Sequence, residues 1–170
     1  MATVNFNFDE YRDLFEKLSR AGNGDFRKEL ATWLEALGIE LLRIIEDEII
    51  RRDVTDTRLL LHSFTKGDKE NIWEITDDGL TLEVGTHVDY ASYVNDGHWT
   101  NTKGVAVRFV PGTWNGDKFQ YIPGAKTGMV LKQKWVPGKP YFDSALRIFE
   151  QMLPELCEAK LQQWLDNYFG

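Results

Sequence analysis

His87, Asp89 and His98 are the residues of this chain whose types could do chemistry together. Imidazole nitrogen and carboxylate oxygen are zinc donors, and three such ligands can leave a fourth position open for an activated water. The spacing argues against that use. His87 and Asp89 stand two apart, and His98 lies beyond a turn, with no fixed ligand pattern. Solvated or structural roles are the reading taken, and a small metal- or ligand-binding enzyme domain on these three residues is kept as an alternative. Ser63 sits beside His62, but no glycines surround it as they surround a hydrolase nucleophile. Glu46, Asp47 and Glu48 fall within one helix without a partner in view, the pattern of a solvated helix face. Gly22 and Gly24 are followed by too little of a phosphate-loop pattern. The single Cys157 excludes an internal disulfide and cannot build a zinc site alone, which fits a reducing cytoplasm. The sequence thus assigns no catalytic residue, no metal and no cofactor.

The stretch around which the chain is organised runs from Asp89 to Gly97. Tyr90, Tyr93 and Val94 fall at helical spacing around Ala91, so one short turn carries three apolar groups on one face. Asp89 stands where an N-cap would, and Gly97 where a C′ glycine would. About two turns of helix are not stable alone in water. A second run, Gly138 to Phe142, opens the last helix and is the expected clamp, with Pro140, Tyr141 and Phe142 resting on that apolar face. On this reading Tyr93 is a buried ring, worth about 3 kcal/mol to the fold.

The elements that carry these runs follow in chain order. Asp9 to Leu18 reads as a short amphipathic helix, stopped by Gly22 and Gly24. Asp25 caps a long helix whose Leu30, Leu34, Leu37, Leu41, Ile45 and Ile49 keep a core-facing stripe. Gly38 lies inside it at a cost of about 1 kcal/mol against alanine, for which a close helix crossing is the expected reason. Val54 to Thr57 are a break with capping chemistry, and Thr57 to Phe64 follow as a short helix running into a strand. Ile72 to Thr76 and Leu80 to Val84 make a hairpin through Asp78-Gly79. Tyr141 to Tyr168 is a second long helix, which Pro154 should kink or divide near Met152.

A chain of 170 residues fits one domain and can bury about 70% of its unfolded surface. Its 42% hydrophobic content argues for a real core, and its net charge of −7 argues against general nucleic-acid binding. The N-terminal residues show no secretory signal, and no apolar run approaches the ~20 residues of a membrane span. Residues 99–139 differ from the rest. Seven basic residues stand there against Asp117 alone, a local +6 that leaves −13 for the remainder. Glycine and proline are concentrated in the same stretch, and short strands are expected at 105–110, 119–122 and 129–132. The expectation is one α+β domain over 1–170: long N- and C-terminal helices packed on a small antiparallel sheet, with a β-rich basic arm or long loop inserted at 99–139. Lys103, Arg108, Lys118, Lys126, Lys132 and Lys134 are its candidate partner contacts. A loop of this length in a compact domain is usually functional.

The order of three runs carries a resemblance. Asp56 to Phe64 reads Asp-Thr-Arg-Leu-Leu-Leu-His-Ser-Phe, Val84 to His98 holds Tyr-Ala-Ser-Tyr-Val-Asn-Asp-Gly-His, and Lys139 to Leu146 reads Lys-Pro-Tyr-Phe-Asp-Ser-Ala-Leu. Together, over roughly residues 25–165, they resemble the tail-component family of tailed bacteriophages named for the tenth gene product of a lambdoid coliphage. Arg58 stands where that family usually has glycine, Asn95 where it has glutamate, and His98 where it has threonine. The resemblance implies a non-catalytic virion protein of the neck, joining head connector to tail during tail completion and assembled in the bacterial cytoplasm. Its motif residues here are Tyr90, Ala91, Tyr93, Val94, Gly97, Pro140, Tyr141 and Phe142. The charge division suits a homo-oligomeric ring in which each basic arm meets a neighbour's acidic body. Connector and tail proteins are the further partners, DNA in the channel is the alternative, and no membrane is expected.

Overall fold

The computed structural model describes residues 2–7, 25–54, 58–76 and 81–169. The helix expected at 9–18, its glycine stop, residues 55–57 of the expected break and the Asp78-Gly79 turn lie outside them; the strand expected after the short helix is not formed, since residues 63–70 run through turns. The fold is α+β, and the chain divides into two compact units. The first holds residues up to Asn95 and from Pro140 onward; the second is Asp96–Lys139.

In the first unit, strand β1 (Ala2–Asn7) precedes helix α1 (Asp25–Arg51). Helix α2 (Leu59–His62), strands β2 (Asn71–Ile75) and β3 (Thr81–Thr86) and helix α3 (Ala91–Asp96) follow. Helix α4 (Tyr141–Phe169) closes the chain. The sheet order is β1-β3-β2, antiparallel throughout. The β2–β3 pairing was legible in the alternation of Leu82 and Val84; β1 was not expected. Thr3, Val4 and Asn5 do alternate, but the pairing of Val4 with Val84 is what makes a strand of so short a segment.

The core forms where the α1 stripe meets the inner face of this sheet and the start of α4. Leu34, Leu41, Ile45, Ile49, Leu82, Val84, Tyr141 and Phe149 are each at most 1% exposed. Burying one such aliphatic side chain contributes roughly 1.5–3 kcal/mol. Gly38 is explained here, and the reason is a helix on a sheet rather than a helix crossing. A Cβ at Gly38 would lie 2.7 Å from the Trp73 ring and press on the Leu82 side chain. Hydrogen at that position lets α1 sit down on β2 and β3.

Helices α1 and α4 run antiparallel. At one end Leu30 packs on Trp164. At the other, Glu48 departs from the expected solvated face: it is 4% exposed. Its carboxylate accepts Arg51 Nε at 2.7 Å and Arg51 Nη2 at 2.6 Å, and Arg52 Nε at 3.0 Å. The Arg51 hydrogen bond, with help from the Ser144 hydroxyl on α4 and from Arg52, outweighs desolvation and lowers the Glu48 pKa to about 2. Pro154 does not divide α4, which continues as helix through it. Its missing N–H orphans the carbonyl of Glu150, an exposed residue that water can satisfy.

The second unit is all β. Strand β4 (Gly97–Trp99) pairs with β8 (Trp135–Pro137), so the entry and exit of the unit lie side by side. Between them β5 (Val107–Asn115) is flanked by β6 (Lys118–Tyr121) and β7 (Gly128–Lys132) in the order β6-β5-β7. The three expected strands are present, with β5 extended to Asn115; the β4–β8 ribbon was not foreseen.

Candidate functional site

The two motif runs meet in the first unit. Pro140 immediately precedes α4 and offers no side-chain acceptor, so the amides of the first turn need a cap from elsewhere. Asn95, at the end of α3, supplies it. Its Oδ1 accepts the N–H of Phe142 at 3.0 Å and that of Asp143 at 3.4 Å. The Tyr141 hydroxyl donates to the Ala91 carbonyl at 3.3 Å. The Tyr141 ring meets Phe64 edge-on with centroids 6.1 Å apart, and the Phe142 ring lies 6.2 Å from Phe64. Helix α3 is thereby tied to α4 by two polar links beside an aromatic cluster.

This placement corrects the expected packing. Ala91, Tyr141 and Phe142 are buried, Tyr90 and Val94 are half-buried, and Pro140 is exposed. Tyr93 is 57% exposed, so it is not part of the buried face. Spacing put the three apolar residues within reach of one face, but a helix of six residues turns only about half its circumference to the core, and Ala91 and Asn95 claimed that half. In sequence, Asn95 stands only as the residue where the family has glutamate. Both residue types carry a side-chain oxygen acceptor, and an acceptor at a helix N-terminus is favoured by the dipole.

Two further motif positions have backbone reasons. Gly97 sits at φ 85°, and a Cβ there would lie 2.7 Å from the Gly138 nitrogen and the Val136 carbonyl oxygen. Arg58, where the family carries glycine, precedes α2 with φ 56° and ψ −8°. A side chain in this left-handed region is held at a cost that glycine avoids.

Of the chemical candidates, Ser63 is held in a buried hydrogen-bond chain. It donates to the Leu60 carbonyl at 2.8 Å while accepting the Thr86 hydroxyl at 2.8 Å. Thr86 in turn accepts the Val88 N–H at 3.1 Å, which fixes the chain leaving β3. His62, His87 and Asp89 are exposed, and His98 is half-buried. The metal alternative on His87, Asp89 and His98 is corrected by position: among the described residues no group of three or more His, Cys, Asp and Glu side chains could hold a metal ion. No helix among the described residues is long and apolar enough to cross a membrane.

In the second unit Lys103, Arg108, Lys118, Lys126, Lys132 and Lys134 are all exposed. Sequence reading singled out those charges and passed over the apolar residues between them. Val107, Phe109, Trp114, Tyr121 and Val130 are each more than half exposed. Trp99 and Trp135 face each other across the ribbon with centroids 5.4 Å apart, and both also remain open to solvent. Among the described residues of this unit only Asn101 and Gly112 are buried, so the unit has no apolar core of its own. The alternation of Val107 and Phe109 with Arg108 was the available signal; it marks a strand but not whether a layer covers it.

Comparison with known proteins identifies the family. The model of the family described as "Bacteriophage HK97-gp10, putative tail-component" matches residues 9–97. The chain is 49% identical over 157 residues to the uncharacterized protein YqbI of Bacillus subtilis strain 168, covering 91% of this chain and 94% of the relative. It is 46% identical over 154 residues to the phage-like element PBSX protein XkdI of the same organism, again covering 91% and 94%. No solved structure matches. The family match runs from residue 9 through the Tyr-Ala-Ser-Tyr-Val run to Gly97, and by that match and the two relatives, each covered over most of its length, the chain belongs to the HK97-gp10-like family of phage tail components.

Proposed function

We propose that this protein is a structural, non-catalytic virion component of the neck, joining head connector to tail during tail completion. It works as a homo-oligomeric ring in a phage, prophage or phage-tail-like particle. The body and the basic unit act as one neck domain with an inserted arm, residues 99–139, that docks on a partner. The likeness to a protein whose name places it in a phage-like element supports the setting. The observation that carries the reading is the coreless β unit. It is a sheet with exposed rings and valines among basic side chains, on a chain whose remainder is strongly acidic. A sheet that covers neither face needs another layer to be stable, and an assembly partner provides it.

The reading is tested by assembling particles without this chain and imaging them by negative-stain electron microscopy. Heads and tails that accumulate separately, and join when purified protein is added, support it. Joined particles at normal yield in its absence overturn it. Light scattering on a sizing column, with and without the connector and tail proteins, measures the ring. Loss of packaged DNA from joined particles carrying an arm with Lys126, Lys132 and Lys134 changed to Glu would instead favour DNA in the channel as the arm's partner.

A further inference from the structure

We infer that one face of the arm sheet docks on the solvent-facing stripe of α1 in a second copy of the chain. This rests on the ring reading above and assigns the two surfaces that meet. In the β5–β7 pairing Phe109 stands opposite Val130, and Val107 opposite Lys132. Opposed residues of an antiparallel pair share a face. The shared face therefore presents Val107, Phe109 and Val130 at 54%, 52% and 60% exposure, with a lysine at its edge.

The complementary surface is on α1. Ile39 and Ile50 are 50% and 57% exposed, whereas Leu34, Leu37, Leu41, Ile45 and Ile49 on the same helix are buried. Eleven residues is about three helical turns, so the two isoleucines lie on one line. Glu46 and Asp47 stand one turn before Ile50 and set carboxylates beside it, while Arg43, one turn after Ile39, pairs with Glu40. A helix laid on the open face of a sheet is the ordinary two-layer solution, and here it pairs apolar with apolar and lysine with carboxylate. Both surfaces are exposed within one chain, which leaves each open to a second copy. The contact joins two different patches, which lets repeated contacts close into a ring. Phosphate would match the lysine but not a face of valines and phenylalanine, so a protein occupant fits better than nucleic acid. Among protein occupants, this chain itself supplies the acidic, apolar complement.

Sedimentation velocity of the full chain tests the inference, with Val130→Glu, Ile50→Lys and the double variant. Both sites are exposed, so circular dichroism should show each variant folded. Each single change should weaken self-association at least tenfold. The double variant should recover most of the loss, because the carboxylate introduced on the arm of one copy then meets the ammonium introduced on α1 of the next. Self-association unchanged by Val130→Glu, or no recovery in the double variant, overturns the assignment while leaving the ring standing. A wild-type chain that stays monomeric at all concentrations overturns the ring and this contact together. Binding to duplex DNA at physiological salt that Val130→Glu abolishes, with self-association intact, overturns the choice of occupant.

Discussion

Asn95 caps a helix that begins far along the chain: its Oδ1 accepts the Phe142 N–H at 3.0 Å, across a separation of 47 residues. The link replaces a local N-cap that Pro140 cannot supply. Asn95→Ala should lower stability by about 1–2 kcal/mol, the usual loss for an N-cap. Asn95→Asp should keep most of it, because the carboxylate accepts the same amides and suits the helix dipole. Urea midpoints with unchanged slopes check both; an alanine variant as stable as the parent removes Asn95 from this role.

Tyr93 and Tyr141 should behave oppositely. With its ring 57% exposed, Tyr93→Ala is expected to cost less than about 1 kcal/mol. Tyr141→Ala, at full burial, should cost about 3–5 kcal/mol. Thermal melts of the two variants rank them, and equal losses would restore Tyr93 to the core.

Arg58→Gly should stabilise the protein. The position holds φ 56°, and no side-chain cap repays the strain. Relief of a left-handed side chain gives about 1 kcal/mol, partly offset by the greater freedom of glycine in the unfolded chain. A rise of a few tenths to about 1 kcal/mol in unfolding free energy is the expected outcome; a fall would show that the Arg58 side chain does more than occupy its backbone.

Gly38→Ala tests packing against propensity. Alanine favours the helix by about 1 kcal/mol. The added methyl meets the Trp73 ring at 2.7 Å beneath a buried Leu82. Overpacking of this kind costs about 1–3 kcal/mol, so the net change should be destabilising. A variant with a higher melting temperature would show that Trp73 moves aside freely.

Glu48 makes stability depend on pH at the acid end. Its pKa falls from 4.5 to about 2 on folding, so the unfolded chain binds the proton first. The contribution is fully present above about pH 4.5 and is lost as pH falls through 2. Because Arg51 is largely exposed, solvent screening brings the effect down to about 2 kcal/mol. Glu48→Gln should flatten the acid limb of a stability–pH curve relative to the parent, and parallel curves would exclude this carboxylate as its source.

The sequence by itself determined the elements that repeat a local pattern. Leu34, Leu37, Leu41 and Ile45 recur at helical spacing whatever lies beside them, so α1 was legible, as was α4. Leu82 and Val84 alternate, so β3 was legible too. The bias of residues 99–139 toward lysine, glycine and proline marked that stretch as unlike the rest of the chain. Only tertiary structure decided which side of each element met which other. Whether Tyr93 or Asn95 faced inward depended on the rotation of a six-residue helix, and that was fixed by orphan amides at Phe142 and Asp143, far along the chain. Glu48 reads as one acid among three until α4 brings Ser144 to it. Gly38 reads as a weak point until Trp73 and Leu82 arrive across it. The open face of Phe109 and Val130 follows the same rule, since alternation makes a strand but only a second layer decides whether its side chains are buried.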